Sequence, residues 1–418
     1  MKKKPVTGMK DVLPEEARIR DYVQSLAREV YSGFGFSDIE TPCVEHIENL
    51  LSNQGGENEK LIFKILKRGE KLNMAEAKEE NDLTDCGLRY DLTLPLSRYY
   101  ANNASSLPTP FKALQMGYVF RADRPQKGRF RQFMQCDIDI LADPTYLAEV
   151  ELITATTTLL GRLGFEDFTV RINDRRILRA MAECCGFDSD KCDLAFIILD
   201  KMDKIGVDGV REELISSGFS AESADKYLAL MEGVSGGISG VRKMCEALEG
   251  FIDEDVCKNL STIMSLASES KSVPFDIVFD PSLVRGMGYY TGTIFEIEVA
   301  QFGSSVAGGG RYDEMIGKFT GQKVCAVGFS IGFERIITIL LDQKFKVPTQ
   351  KDAVAILLEK GLPEDRCTDA MKKATQLRSE GRRVLVVWAN KNKKFQKEQL
   401  KEAGYEEFID YYAEEFKK

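Results

Sequence analysis

Apolar residues recur at helical spacing over residues 15–32, EEARIRDYVQSLAREVYS, and the spacing predicts an amphipathic helix there. GFGFSDIETPCVE follows, in which glycines break the helix and a strand-like run is halted at Pro42. LIFKI and LRYDLTLPL read as two strands, joined over residues 66–86 by a polar, charge-rich hairpin connection. Further strands are expected at 112–121, 130–141, 167–173, 276–284 and 291–300. From 174 to about 270 the pattern turns helical, through DRRILRAMAECCGF, KYLALMEGVSGGISGVRKMCEALEG and VCKNLSTIMSLASES. Beyond Pro348 the order becomes strand (AVAILLE), helix, strand (RRVLVVWA), helix, strand (EEFIDYY). These elements give an α+β body of antiparallel strands with a helical insertion and a small C-terminal α/β domain. The expected division is 1–173 and 271–345 for the two parts of the body, 174–270 for the insertion and 352–418 for the last domain.

Composition narrows the function classes. With 418 residues, 43% apolar and 29% charged, the chain is long enough for two or three folded domains. No apolar run approaches the roughly 20 residues that span a bilayer, and the basic start MKKKPVTGMK lacks the apolar core of a signal peptide, so a cytoplasmic protein with no membrane partner is expected. Ten cysteines without a CxxC pair read as reduced thiols. The single histidine, His46, rules out a two-histidine metal site and reads as a helix-surface or capping residue. A net charge of −9 argues against indiscriminate polyanion binding. Any phosphate must be met by a local patch.

That patch is RADRPQKGRFRQF, 121–133. Arginine offers a planar fork of donors that grips phosphate or carboxylate oxygens in pairs, and several on one hairpin converge on a polyphosphate. Strand alternation places Arg129, Arg131, Phe133 and Gln135 on one face, with Arg121 facing the same site across the turn. Three glycine-rich stretches accompany it: GFSIGFER at 328–335, LVRGMGYYTGTIFE at 283–296 and AGGGRYDEM at 307–315. Glycine lets backbone approach a ligand closely, and tyrosine hydroxyls fix the polar groups of a small molecule.

Together these stretches resemble class II aminoacyl-tRNA synthetases, and within them the histidyl-tRNA synthetases. GFGFSDIETP is similar to the first class motif, FRADRPQKGRFRQF to the second and GFSIGFER to the third; LVRGMGYYTGTIFE and AGGGRYD are similar to the two peptides that set the histidine enzymes apart. The resemblance runs from about residue 7 to 342 in the family's order and includes RINDRRIL at the start of the insertion.

It implies a class II antiparallel catalytic sheet, ATP-dependent ligation of L-histidine to tRNA(His) through an adenylate, ATP and Mg2+ as cofactors, and a homodimer formed by the helix and strand of the first motif. The metal's ligands are not identified. For ATP it implies Arg121 on the α-phosphate, Arg129 and Arg335 on the γ-phosphate, Phe133 against adenine and Asp123 toward its amine. For histidine it implies Asp91, Thr93 and Gln135 on the ammonium and Arg121 on the carboxylate. Asp139 and Tyr290 would hold the imidazole, Tyr312 would close the pocket and Tyr289 would line it. Arg285 stands where the family stabilises the α-phosphate during attack, so Arg121 and Arg285 are the expected catalytic residues.

Gly288 and Met134 depart from the family's common acidic residue and its histidine or tyrosine, and the last domain is shorter than the family's anticodon-binding domain. A catalytically silent relative, the regulatory subunit of ATP phosphoribosyltransferase, is the alternative reading; the presence of Arg121, Arg129, Arg285 and Arg335 favours the enzyme. An RNA-binding module without catalysis leaves the tyrosine and glycine motifs unexplained.

Overall fold

The computed structural model describes residues 1–413 except 55, 126–128, 286–287, 303 and 349–352. The centre of the RPQKG turn, Gly286 and Met287, the join before the last domain, and the final residues of the tail therefore lie outside the described residues. Contacts divide the chain into two compact units, one of Met1–Asp11 with Val23–Leu340 and one of Val12–Tyr22 with Leu341–Lys418.

The first unit is built on an eight-stranded sheet. Helix α1, Pro14–Gly33, buries Val23, Leu26, Ala27, Val30 and Tyr31 at helical spacing and stops at the Phe34–Gly35 turn, where Gly35 has a φ of 82°. Strand β1 (Ser37–Ile39) then pairs in parallel with β5 (Phe111–Phe120). Between them lie β2 (Val44–His46), helix α2 (Ile47–Gln54), β3 (Lys64–Leu66) and β4 (Thr84–Leu88), which make a small antiparallel sheet, and helix α3 (Thr93–Asn103). Exposed His46 closes β2 immediately before α2.

The large sheet continues through β6 (Gln132–Leu141), β7 (Phe168–Asp174), β8 (Asp276–Phe279), β9 (Thr293–Val299), β10 (Ser304–Arg311) and β11 (Ala326–Ile331), in the order β1-β5-β6-β11-β10-β9-β7-β8. Every pair from β5 to β7 is antiparallel, and only the two edges are parallel. Helix α4 (Leu147–Arg162) covers β11 and β6. Helices α5 (Arg175–Cys184), α6 (Cys192–Leu199), α7 (Met202–Ser216), α8 (Ala221–Met231), α9 (Ile238–Ala247) and α10 (Glu254–Glu269) fill the interval between β7 and β8. The short α11 (Gly317–Thr320) and then α12 (Phe333–Asp342) flank β11 in sequence.

The second unit contains a parallel sheet of order β13-β12-β14, formed by β12 (Ala353–Leu358), β13 (Arg383–Trp388) and β14 (Glu407–Tyr411), with α13 (Glu364–Ser379) and α14 (Lys393–Glu402) as crossovers.

Four sequence expectations are corrected. LRYDLTLPL is strand only to Leu88: Asp91 accepts the Leu94 amide at 3.1 Å and α3 begins at Thr93, with Pro95 in its first turn, where a missing N–H costs nothing. The strand expected to 284 ends at Phe279, because Asp280 turns the chain by accepting from both Ser282 N and Ser282 Oγ. Arg131 does not share a face with Arg129 and Phe133; β6 starts at Gln132, and the Arg131 Nε donates to the Asp123 carbonyl at 3.1 Å. Cys245 and Cys257 are a disulfide rather than thiols, because the turn between α9 and α10 brings residues twelve apart to a Cα separation of 6.4 Å.

Helix α4 was invisible to the sequence pattern because its threonines favour strand. Three of its hydroxyls bond back within the helix, those of Thr154, Thr157 and Thr158 donating to the carbonyls of Val150, Ile153 and Thr154. One ion pair fastens α4 to the end of β10: Arg311 grips Glu149 in a two-pronged contact, 2.7 Å on each side, and both are buried. Glu149→Ala leaves a buried guanidinium without that partner, and urea unfolding should show a loss of about 3 kcal/mol.

Candidate active site

A cavity of about 540 Å³ opens on the face formed by β6, β11 and β10, closed by Tyr90, Asp91 and Thr93, by Arg285, Tyr289 and Tyr290, and by Arg121, Asp123, Arg129 and Phe133. Of the residues nominated from sequence, Asp91, Thr93, Arg121, Asp123, Arg129, Phe133, Gln135, Asp139, Arg285, Tyr289, Tyr290, Tyr312 and Arg335 border it, and Arg131 does not.

Strand register orders them. Phe133, Gln135, Asp137 and Asp139 occupy alternate positions of β6, so their side chains share one face, and Asp139 lies roughly 20 Å from Phe133 at 3.3 Å per residue. Ser330 pairs with Asp137 and Gly328 with Asp139, while Gly308 on β10 pairs with Ser330. Arg335, in the first turn of α12, follows β11 toward the Phe133 end and donates to the Ser305 carbonyl. At that end the Arg121 guanidinium lies 4.2 Å from the Tyr90 ring and 5.2 Å from the Phe133 ring, and its Nε donates to the Tyr90 carbonyl at 3.1 Å. Its side chain borders the cavity beside Phe133.

The middle is held by Arg285. It has a φ of 62°, a left-handed conformation unusual for a residue with a side chain. Its Nη1 pairs with Glu296 at 2.8 Å, and its Nε is buried with no partner. Burial alone lowers its pKa, but Tyr290 and Glu296 reverse this and raise it, so the cation is secure. The guanidinium lies against the backbone of β10: a Cβ on Gly308 would sit 2.4 Å from it. Glycine is the residue that permits this approach.

At the far end Asp139 is buried and accepts the Tyr312 hydroxyl at 2.5 Å. A Cβ on Gly328 would fall 2.0 Å from the Asp139 Oδ1, so a glycine on β11 makes room for the carboxylate. Burial, reinforced by Asp137, pushes the Asp139 pKa well up. The Tyr289 and Tyr290 rings meet at a tilt of 60° with centroids 4.9 Å apart, and Tyr289 meets Tyr312 edge-on at 6.0 Å.

Asp137 and Ser330 were missed. Both lie in strands of the site, and the alternation that places Phe133 and Gln135 on one face continues to Asp137, so the signal was present. The Asp137 carboxylate accepts the Ser330 hydroxyl on Oδ1 and the Gln135 Nε2 at 3.2 Å on Oδ2. Burial pushes its pKa up to about 7 against the Ser330 hydrogen bond, which lowers it. Since the folded value exceeds the ordinary 3.8, folding favours the protonated form, and this residue's contribution to stability declines as pH rises from about 4 through about 7. Asp137→Asn should therefore melt close to the unmodified protein near pH 5 and a few degrees above it near pH 8, measured by thermal denaturation without ligands.

Known proteins carry the same architecture. A family model described as histidyl-tRNA synthetase matches residues 8–336. A histidine–tRNA ligase of Leifsonia xyli subsp. xyli is 42% identical over 417 residues, covering 97% of this chain and 94% of its own length. One of Christiangramia forsetii is 34% identical over 388 residues, 89% of this chain and 84% of its own. The crystal structure of histidyl-tRNA synthetase from Nostoc sp. PCC 7120 superposes with a TM-score of 0.78 at 27% identity, covering 97% of this chain and 90% of that one. An ATP phosphoribosyltransferase regulatory subunit/histidyl-tRNA synthetase from Bacillus halodurans has a TM-score of 0.75 at 22% identity over 98% of both chains, a likeness of fold alone. With the model spanning most of the sequence and the Leifsonia relative nearly all of it, the chain belongs to the histidyl-tRNA synthetase family.

Proposed function

We propose that the chain joins L-histidine to tRNA(His) in two steps, at the expense of ATP, through a histidyl-adenylate. The observation that carries this reading is the order along one cavity: arginines and Phe133 at one end, Arg285 in the middle, and the buried Asp139–Tyr312 pair at the other. A nucleotide, a reacting phosphorus and an imidazole fit that order.

In this reading Phe133 stacks on adenine, Asp123 faces its amine, and Arg129 and Arg335 hold the γ-phosphate. Arg121 bridges the α-phosphate and the histidine carboxylate. Asp91, Thr93 and Gln135 take the ammonium. Asp139 and Tyr290 take the two imidazole nitrogens, with Tyr289 and Tyr312 as walls. A site whose buried polar groups need both nitrogens rejects isosteres lacking them. The carboxylate attacks the α-phosphorus, the new C–O–P bond forms and the bond to pyrophosphate breaks. The nucleophile is already ionised, so the protein supplies position and positive charge rather than a base. A terminal ribose hydroxyl of tRNA then attacks the acyl carbon and AMP leaves.

Among the described residues no group of three or more acidic, cysteine or histidine side chains forms a metal cage. Magnesium is read as a counter-ion carried by the triphosphate, with guanidinium groups facing the transferring phosphorus.

The catalytic parts are 1–173 and 271–345. The insertion at 174–270 and the last domain at 352–418 are assigned to tRNA contacts. No helix among the described residues is long and apolar enough to cross a membrane, and a cytoplasmic location suits these substrates. The ligase relatives and the four retained arginines favour the enzyme over a regulatory subunit.

Charge on the α-phosphate grows during attack, and a fixed donor fork there helps the transition state more than the ground state. Arg285→Ala should lower kcat for histidine-dependent ATP–pyrophosphate exchange by about 10²–10³-fold with little change in the KM for ATP. Arg285→Lys should recover part of it, since a point charge cannot reproduce the fork. Melting the same preparation separates this from loss of the Glu296 pair; a near-normal kcat would remove Arg285 from catalysis.

The assembly is read as a two-fold homodimer through the helix and strand of the first motif. Light scattering at micromolar concentration should give twice the mass of the 46.9 kDa chain.

A further inference from the structure

Asp137 borders the cavity, yet both of its oxygens are already engaged, one by the Ser330 hydroxyl and the other by the Gln135 amide nitrogen. An ionised carboxylate only accepts hydrogen bonds. It therefore dictates which way the Gln135 amide faces: the NH2 toward Asp137, the Oε1 away. That Oε1 is buried and has no partner. A buried acceptor without a donor is costly and calls for a group that arrives with one.

We propose that Asp137 is a positioning residue that locks the Gln135 amide so that its carbonyl, rather than its NH2, meets the substrate's α-ammonium, with Ser330 holding Asp137 in turn. The inference rests on the ligase reading above. Without the carboxylate, a half-turn of the amide interchanges two nearly isosteric groups, and the turned form presents a donor to a cation.

Proton occupancy reinforces the lock. Burial presses the Asp137 carboxyl toward its neutral form, as does Asp91, while the Ser330 hydroxyl, Arg121 and Arg89 favour the anion; burial and Asp137 push the neighbouring Asp139 well up. The other titratable neighbours, Tyr31, Cys136, Tyr289 and Tyr290, all stay neutral near pH 7, since burial raises each of them. An ammonium joins the arginines in favouring the anion. Protonated Asp137 can donate to the amide carbonyl and release the lock, so histidine affinity should fall as pH drops through neutrality.

The test is histidine-dependent ATP–pyrophosphate exchange by the full chain, with Asp137→Asn, Gln135→Ala, the double variant and Ser330→Ala. Asp137→Asn should raise the KM for histidine about tenfold, the scale of one charge-assisted hydrogen bond, while the KM for ATP holds. In the Gln135→Ala background the same change should cost less than about twofold, because a residue acting through another adds nothing once that other is gone. Ser330→Ala should give a smaller loss, likewise absent with Gln135→Ala. Between pH 8 and 6 the unmodified protein should lose histidine affinity more steeply than Asp137→Asn; the substrate's own imidazole titrates in both and cancels. Additive losses, parallel pH profiles, or a lowered melting temperature with an unchanged KM would each overturn the inference. Failure of the unmodified protein to exchange would instead overturn the ligase reading.

Discussion

A carboxylate sealed inside a sheet must be met by donors or keep its proton, and two of them on β6 set the terms for everything around them. Asp139 is met by Tyr312, just past the end of β10, and Asp137 by Ser330 on β11. Those partners reach β6 only because the strand order is β6-β11-β10, with β11 in register so that Ser330 faces Asp137 and Gly328 faces Asp139. The other face of the same strand is closed by Cys136, Ile138 and Ile140, all essentially inaccessible. One strand thus carries core on one side and chemistry on the other, as its period of two requires.

The positive side of the site is held differently. Arg121 is fixed by two aromatic rings and a carbonyl, which leave its charge uncompensated, whereas Arg285 is fixed by an opposite charge, Glu296, and by a left-handed backbone. A lone ion pair would spend the guanidinium on structure. Here Glu296 holds Nη1 and the buried Nε is left over, so the pair aims the group without satisfying it. The glycine beneath it, Gly308, removes the Cβ that would otherwise occupy the same space.

What the sequence made legible follows from this division. Helix α1, the antiparallel body, the helical interval after β7 and the alternating last unit were readable because each has one dominant period. The arginines and glycines were readable because their spacing is ordered along the chain, and the residues they nominate border one cavity, Arg131 excepted. The misses have physical causes. Thr93 starts a helix because Asp91 caps it, a decision taken by one side chain that periodicity does not register. Arg131 leaves its expected face because the strand begins one residue later. The Cys245–Cys257 bond depends on how two helices turn back on each other, a tertiary fact. Asp137 is unmarked in the sequence for a different reason: its partners are the side chains of Gln135 and Ser330, and a residue that holds another residue carries no motif of its own.

That last distinction bears on where the fold accepts cost. The buried carboxylates, the orphaned Gln135 Oε1 and Arg285 Nε, and the strained φ at 285 all gather around the one cavity. Each lowers the stability of the free protein by an amount that an incoming ion would return, the ammonium to the acidic end and the phosphate to the guanidinium. The compensation lies outside the cavity, in the Arg311–Glu149 clasp and the apolar face that α4 lays over β6 and β11. A wall that were fully satisfied without substrate would have nothing left to bind it with, and at this cavity the Gln135 Oε1 and the Arg285 Nε are the atoms held open for a ligand.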